Sequence, residues 1–268
     1  MKFLEFDSVA RIATLMTFTC LVLVGCQPVQ KHADADQVLQ DIRDTTVIPD
    51  LGSYDEKVQR KALDRILVSI DKAPAITRNL LVATLDDSLI DSRTKRVICT
   101  ILAKEGDMRI LPTLSKMLAQ GSVPEDDLLE SALVQLGERS VQPVSRVLAE
   151  GNVTARRNAA SVLLSLDVPH ALDSLQDRMV IEKDAEVRFL CVCGLVQDAR
   201  AQSLVMLANA LDDVDVEVRR AAWGGLARKI RPPQSIYFDA SAKPAVRSVQ
   251  AQQVRQWLSV FRSQGTAL

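Results

Sequence analysis

Two stretches of the sequence nearly superimpose. EVRFLCVCGL (186–195) matches EVRRAAWGGL (217–226), with Glu, Val, Arg, one Gly and Leu coinciding. ARRNAASVLL (155–164) fits at the same offset, which sets Arg157 under Arg188 and Ala160 under Cys191. Looser copies lie upstream in KVQRKALDRIL, KRVICTILA and LLESALVQLG. One slot in every copy holds a small residue: Ala62, Cys99, Ala132, Ala160, Cys191 and Ala222, at steps of 37, 33, 28, 31 and 31. A period of this size, between about 20 and 50 residues, marks repeat architectures. In them no unit can bury its apolar face alone, so neighbours stack.

Each unit has a second half. LPTLSKMLAQG (111–121) and VQPVSRVLAEG (141–151) are amphipathic, with Pro112 and Pro143 near their starts. Proline suits the first helical turn because its missing N–H would have no intrahelical partner there. Pro74 and Pro169 mark looser versions. Gly121 and Gly151 follow the last apolar turn, where glycine readily takes the left-handed C-cap conformation. The unit reads as helix, short turn, helix, longer loop. Composition agrees: hydrophobic residues make up 47% of the chain but aromatics only 4%. Leu, Val and Ala dominate the rest, and of these Ala and Leu are strong helix formers. The expected fold class is all-α, an α-solenoid of stacked antiparallel helix pairs. About six repeats fill residues 51–231.

The paired cysteines, Cys191 and Cys193, raise the question of chemistry. Cys191 and Cys99 stand where other copies carry Ala, and free cysteine behaves as a small buried hydrophobe. Residues i and i+2 do not share a helix face, so the pair is poorly set to chelate one ion. The sequence has only two histidines, His32 and His170, too few for a Cys/His cluster. The expectation is no metal and no cofactor. Gly-x-Ser-x-Gly, the phosphate-binding Gly-rich loop and His-Glu-x-x-His do not occur. A formal net charge of −1 gives no reason to expect nucleic acid, which asks for a basic patch or stripe.

The tetratricopeptide and ankyrin patterns are missing. What recurs is Asp-x-x-Val-Arg-x-x-(Ala/Cys), standing as Asp184, Val187, Arg188, Cys191 and as Asp215, Val218, Arg219, Ala222. This resembles short HEAT-like repeats, over roughly residues 55–231 and most sharply in the last three units. The resemblance implies that the Asp opens the first helix of a unit. It also implies that Arg157, Arg188 and Arg219 support stacking rather than form a binding stripe. Asp is a good N-cap, and Asp and Arg four apart share a helix face.

After Ile230 the pattern breaks. Pro232 and Pro233 stop the helix, and the loop that follows carries Tyr237 and Phe238. A last helical stretch contains Val246, Val249, Val254, Trp257, Leu258 and Phe261. Residues 232–268 are expected to be a loop and a capping helix that covers the open end of the stack. Tyr237 and Phe238 are candidate partner contacts, because aromatics are enriched at binding hot spots.

The N-terminus is not part of the fold. Lys2 and Arg11 precede an apolar run from Ile12 to Gly25, the layout of a signal peptide over residues 1–25. Spanning a bilayer takes about 20 apolar residues, more than this run offers. Leu23-Val24-Gly25-Cys26 resembles the lipobox of bacterial lipoproteins, in which the cysteine is lipidated and becomes the first mature residue. Glu5 and Asp7 depart from that pattern by diluting the positive region. Gln27 in place of Asp points, by the same resemblance, to the outer membrane. Residues 26–50 are then the lipidated Cys26 and a polar tether, with one short helix near residues 38–42. The functional expectation is a non-enzymatic scaffold at the cell envelope that binds protein partners and touches the membrane through its lipid. The alternatives are a structural envelope lipoprotein without a fixed partner, or a protein like the HEAT-containing phycobilin lyases.

Overall fold

A computed structural model describes residues 36–38, 40–42, 46–121 and 126–263. Leu23, Val24, Gly25, Cys26 and His32 lie outside the described residues. The chain divides into two compact units, residues 1–98 and 99–268. Among the described residues every regular element is a helix. Six helix pairs follow one another along the chain: α2 (Glu56–Lys72) and α3 (Pro74–Leu85), α4 (Ser92–Lys104) and α5 (Leu111–Gln120), α6 (Asp127–Gln135) and α7 (Val141–Glu150), α8 (Val153–Leu166) and α9 (Pro169–Met179), α10 (Ala185–Gln197) and α11 (Ala201–Ala210), α12 (Val216–Ile230) and α13 (Pro244–Ser263). A short turn, α1 (Val47–Asp50), precedes them, and residues 36–38 and 40–42 upstream are also helical. The unit boundary falls inside α4.

In the first unit Asp55 caps α2, accepting from the backbone N–H of Lys57 and Val58. Pro74 opens α3. The Thr77 hydroxyl, buried beneath the turn, donates to the Ser69 carbonyl at 2.9 Å and ties the two helices together. One expectation needs correcting here. A polar tether is expected to run to residue 50, yet Val38, Ile42 and Val47 within it are buried, as is Leu51 next to it. These apolar residues sit every four or five positions, enough to pin the segment onto α2. The folded body therefore begins by Val38.

The second unit consists of two rows of helices. The first helices of successive pairs, α6, α8, α10 and α12, each pack on the next. The second helices α5, α7 and α9 do the same, and α11 packs on α13. Within pairs, α8 meets α9 and α10 meets α11. Cys99, Ala132, Ala160, Cys191 and Ala222 are fully buried in the second unit, and Ala62 is buried in the first. The first-helix row is capped at regular intervals. Asp126, Asn152, Asp184 and Asp215 each accept from a backbone N–H two or three residues on.

The two C-capping glycines differ. Gly121 has φ 54, the left-handed cap expected. Gly151 has φ −68 and ψ 164, ordinary extended backbone, contrary to expectation. Its constraint is space: a Cβ there would sit 2.7 Å from the Val147 carbonyl oxygen and 2.9 Å from the Ala155 Cβ. The chain turns directly into Asn152, the cap of α8, and leaves no room for a left-handed residue between the helices. At the other end, α13 closes the core with Ala251, Val254 and Leu258, while Val246 and Val249 stay exposed.

Candidate functional site

The arginine ladder connects consecutive repeats. Arg157 on α8 donates through Nε and Nη2 to the two oxygens of Asp184, at 2.9 and 2.7 Å, in the loop before α10. Arg188 on α10 grips Asp213 in the same bidentate way, at 2.7 and 2.8 Å, before α12. Arg188 also donates to the Lys183 carbonyl. After α12 the partner is backbone instead of carboxylate: Arg219 donates to the carbonyl of Ala240. The local Asp/Arg pair suggested by a spacing of four is not the one that forms. Asp184 and Asp215 cap their own helices, and the arginines reach forward to the next unit.

Beside the ladder, Glu182 gathers a second set of donors, and it was not singled out from the sequence. Its side chain is fully buried. It accepts from Arg156 twice, from Arg178 at 2.6 Å, and from the backbone N–H of Lys183 and Asp184. Burial pushes its carboxyl up, but the donors, Arg156 foremost, outweigh that and hold it down at about 2. Asp198 is a second such centre. It accepts from Arg200, Gln176 and the Ser203 hydroxyl, and Lys229 donates to its backbone carbonyl. Burial raises Asp198, yet Arg200 and Ser203 bring it below the usual carboxylate range. A general base needs a lone pair open toward substrate. Both carboxylates are ionised and saturated by donors from the stack itself, so they tie helices together. A sequence signal for this existed: Glu182 and Asp213 are separated by one repeat period, the same offset that separates Asp184 from Asp215.

The cysteines follow the same logic. Cys191 is fully buried, and burial pushes its thiol up to about 12. It stays protonated at neutral pH and is a poor nucleophile. Cys193 is half-buried and also raised by burial. His170 faces solvent and contacts Glu138 at 3.1 Å. Among the described residues no group of three or more His, Cys, Asp or Glu is placed to hold a metal.

The aromatic pair splits. Tyr237 is 58% exposed, but Phe238 is only 2% exposed and packs on Trp223 with ring centroids 6.2 Å apart. Phe238 is therefore a core residue and is withdrawn as a partner contact. The proline-led loop folds back over α12 and places it in the terminal core.

Among the described residues of the second unit, both helix rows carry a groove. The first-helix row has one of about 500 Å³ across α6, α8 and α10, with Glu130, Arg157, Ser161 and Glu186 in its walls. Ser161 and Ser165 both donate to Glu130 there. The second-helix row has the larger one, about 840 Å³, between α5 and α7. Leu111, Pro112, Pro143 and Val147 line it, and Lys116 and Arg146 flank them. Those two cations take equivalent places in consecutive repeats, each about one turn beyond the proline of its helix.

No protein-family model matches the chain, and no curated protein matches it. Among solved structures, a designed armadillo repeat protein is similar at 14% identity, covering 69% of this chain and 98% of its own, with a TM-score of 0.38. At that score the likeness adds nothing to the fold, which rests on the packing of the helices themselves.

Proposed function

We propose that this chain is a non-enzymatic HEAT-like repeat protein that binds a protein partner at the bacterial cell envelope, held there by lipid on Cys26. The observation that carries the binding role is the groove between α5 and α7. It combines apolar walls and rigid prolines with two repeat-spaced cations, Lys116 and Arg146. Stacked helix pairs commonly present such extended surfaces to protein partners. The saturated carboxylates of Glu182 and Asp198 fit a scaffold better than a catalyst. The Asp caps and forward-reaching arginines of the last units support the HEAT-like reading. The envelope location rests on Leu23-Val24-Gly25-Cys26 and the apolar run before it. Several acyl chains on one cysteine would hold the chain stably where a single chain would not.

The test is crosslinking in cells, followed by capture through a C-terminal tag. One protein should be recovered in constant ratio. Lys116→Glu with Arg146→Glu should abolish that recovery without changing the melting temperature. Recovery of only abundant envelope proteins, unchanged in the double variant, would favour a structural lipoprotein without a fixed partner.

A further inference from the structure

We propose that α2 in the first unit docks on anionic phospholipid headgroups, its basic face turned to the membrane that carries the chain's own lipid anchor. The membrane meant is the one invoked above, so the proposal rests on the envelope reading. A groove of about 490 Å³ lies between Val38, Asp41, Ile42 and Val47 on one side and α2 on the other. Five cations line it, Lys57, Arg60, Lys61, Arg65 and Lys72, against two carboxylates, Asp41 and Asp64. All five cations are exposed. Lys57, Lys61, Arg65, Val68 and Lys72 recur every three or four residues, so they share one helix face. That face lies opposite Ala62, Ile66 and Ile70, which are buried in the core. Val68 is near its centre and half exposed, an aliphatic contact for the interfacial region. Overall composition does not explain the patch, since the chain as a whole is at −1.

Position along the chain supplies the occupant. Val38 is the first buried residue among those described, and only a short stretch of chain separates it from Cys26. Fully extended, that stretch reaches at most about 40 Å. A lipid on Cys26 thus keeps α2 close to the bilayer, and a short tether makes a second weak contact effectively intramolecular. Lys and Arg near an anionic leaflet are attracted within about a Debye length, roughly 8–10 Å. Asp64 lies on the same face and Asp71 at its flank, and both oppose that attraction.

The experiment uses the chain from residue 27 onward, which keeps every described residue and carries no lipid. It is sedimented with vesicles of phosphatidylcholine alone, or with about 30% phosphatidylglycerol added. Binding to the anionic vesicles should be at least about tenfold stronger and should vanish near about 0.5 M salt. Lys57→Glu, Lys61→Glu and Lys72→Glu together should lower it by more than about tenfold at unchanged melting temperature. The corresponding Gln variant should fall between the two, and Asp64→Asn should bind more tightly. Equal binding to both vesicle types, or indifference to the charge reversals, would overturn the proposal. So would loss of a captured protein partner in the Glu variant with vesicle binding intact. An unacylated Cys26, read by intact mass, would remove the anchor but leave the vesicle result standing.

Discussion

Arg188 and Arg157 occupy the same repeat position, but their environments predict different costs of removal. The Arg188 side chain is 10% exposed and Asp213 8%, whereas Arg157 is 41% exposed. Arg188→Ala leaves the Asp213 carboxylate and the Lys183 carbonyl without their guanidinium. Removing one partner of a buried pair costs about 3–5 kcal/mol. For a unit of this size that is a fall in melting temperature of roughly 6 to 20 °C. Arg157→Ala should cost less, about 1 kcal/mol, because its guanidinium is largely in solvent and Asp184, itself 16% exposed, keeps the Val187 N–H. Urea unfolding of both variants, followed by circular dichroism at the helix band, measures the difference. Adding Asp213→Ala to Arg188→Ala should cost little more, giving a coupling of about 2 kcal/mol. Equal losses for the two arginines, or under about 1 kcal/mol for Arg188→Ala, would refute the inference that burial of the ladder sets its strength.

Further outcomes are expected for Glu182, for the glycine pair Gly224 and Gly225, and for Tyr237 and Phe238. Glu182 sits at about 2 in the folded chain, below its ordinary value of 4.5. A depressed carboxylate stabilises above its unfolded pKa and loses that contribution as pH falls through the folded one. Stability should therefore drop by on the order of 3 kcal/mol between about pH 5 and pH 2, and Glu182→Gln should flatten that part of the profile. Gly225→Ala should destabilise by about 1–3 kcal/mol through overpacking, because a Cβ there would sit 2.1 Å from Val196 Cγ2. Its neighbour Gly224 meets nothing within 4 Å, so Gly224→Ala should stabilise by about 0.5–1 kcal/mol in thermal melts. Phe238→Ala should cost about 3–5 kcal/mol, while Tyr237→Ala should leave stability within about 0.5 kcal/mol.

The repeat was legible because the small slot tolerates only Ala or Cys where helices approach closely, and that demand recurs at every copy. The caps were legible for a similar reason, since Asp184 and Asp215 act on backbone two or three residues away. What stayed hidden depends on long-range placement. Nothing in the spacing of Asp184 and Arg188 says that the arginine reaches forward 25 residues to Asp213. Glu182 carries no local signal of its burial, and its alignment with Asp213 is the one hint in the spacing. Phe238 sits in a loop rich in helix breakers, so its burial depends on how that loop folds back on Trp223. Gly151 was read for conformational freedom when its constraint is the Ala155 Cβ. Residues 38–47 are polar enough in sequence to resemble a tether, yet Val38, Ile42 and Val47 are buried.

Intact mass spectrometry of the chain recovered from the membrane fraction, before and after crosslinking in cells, is the most direct test of an envelope-anchored binding scaffold. The expected result is a chain beginning at an acylated Cys26, joined by one added partner mass in constant proportion. An unmodified chain in the soluble fraction, or a spread of crosslinked masses with none dominant, would contradict it.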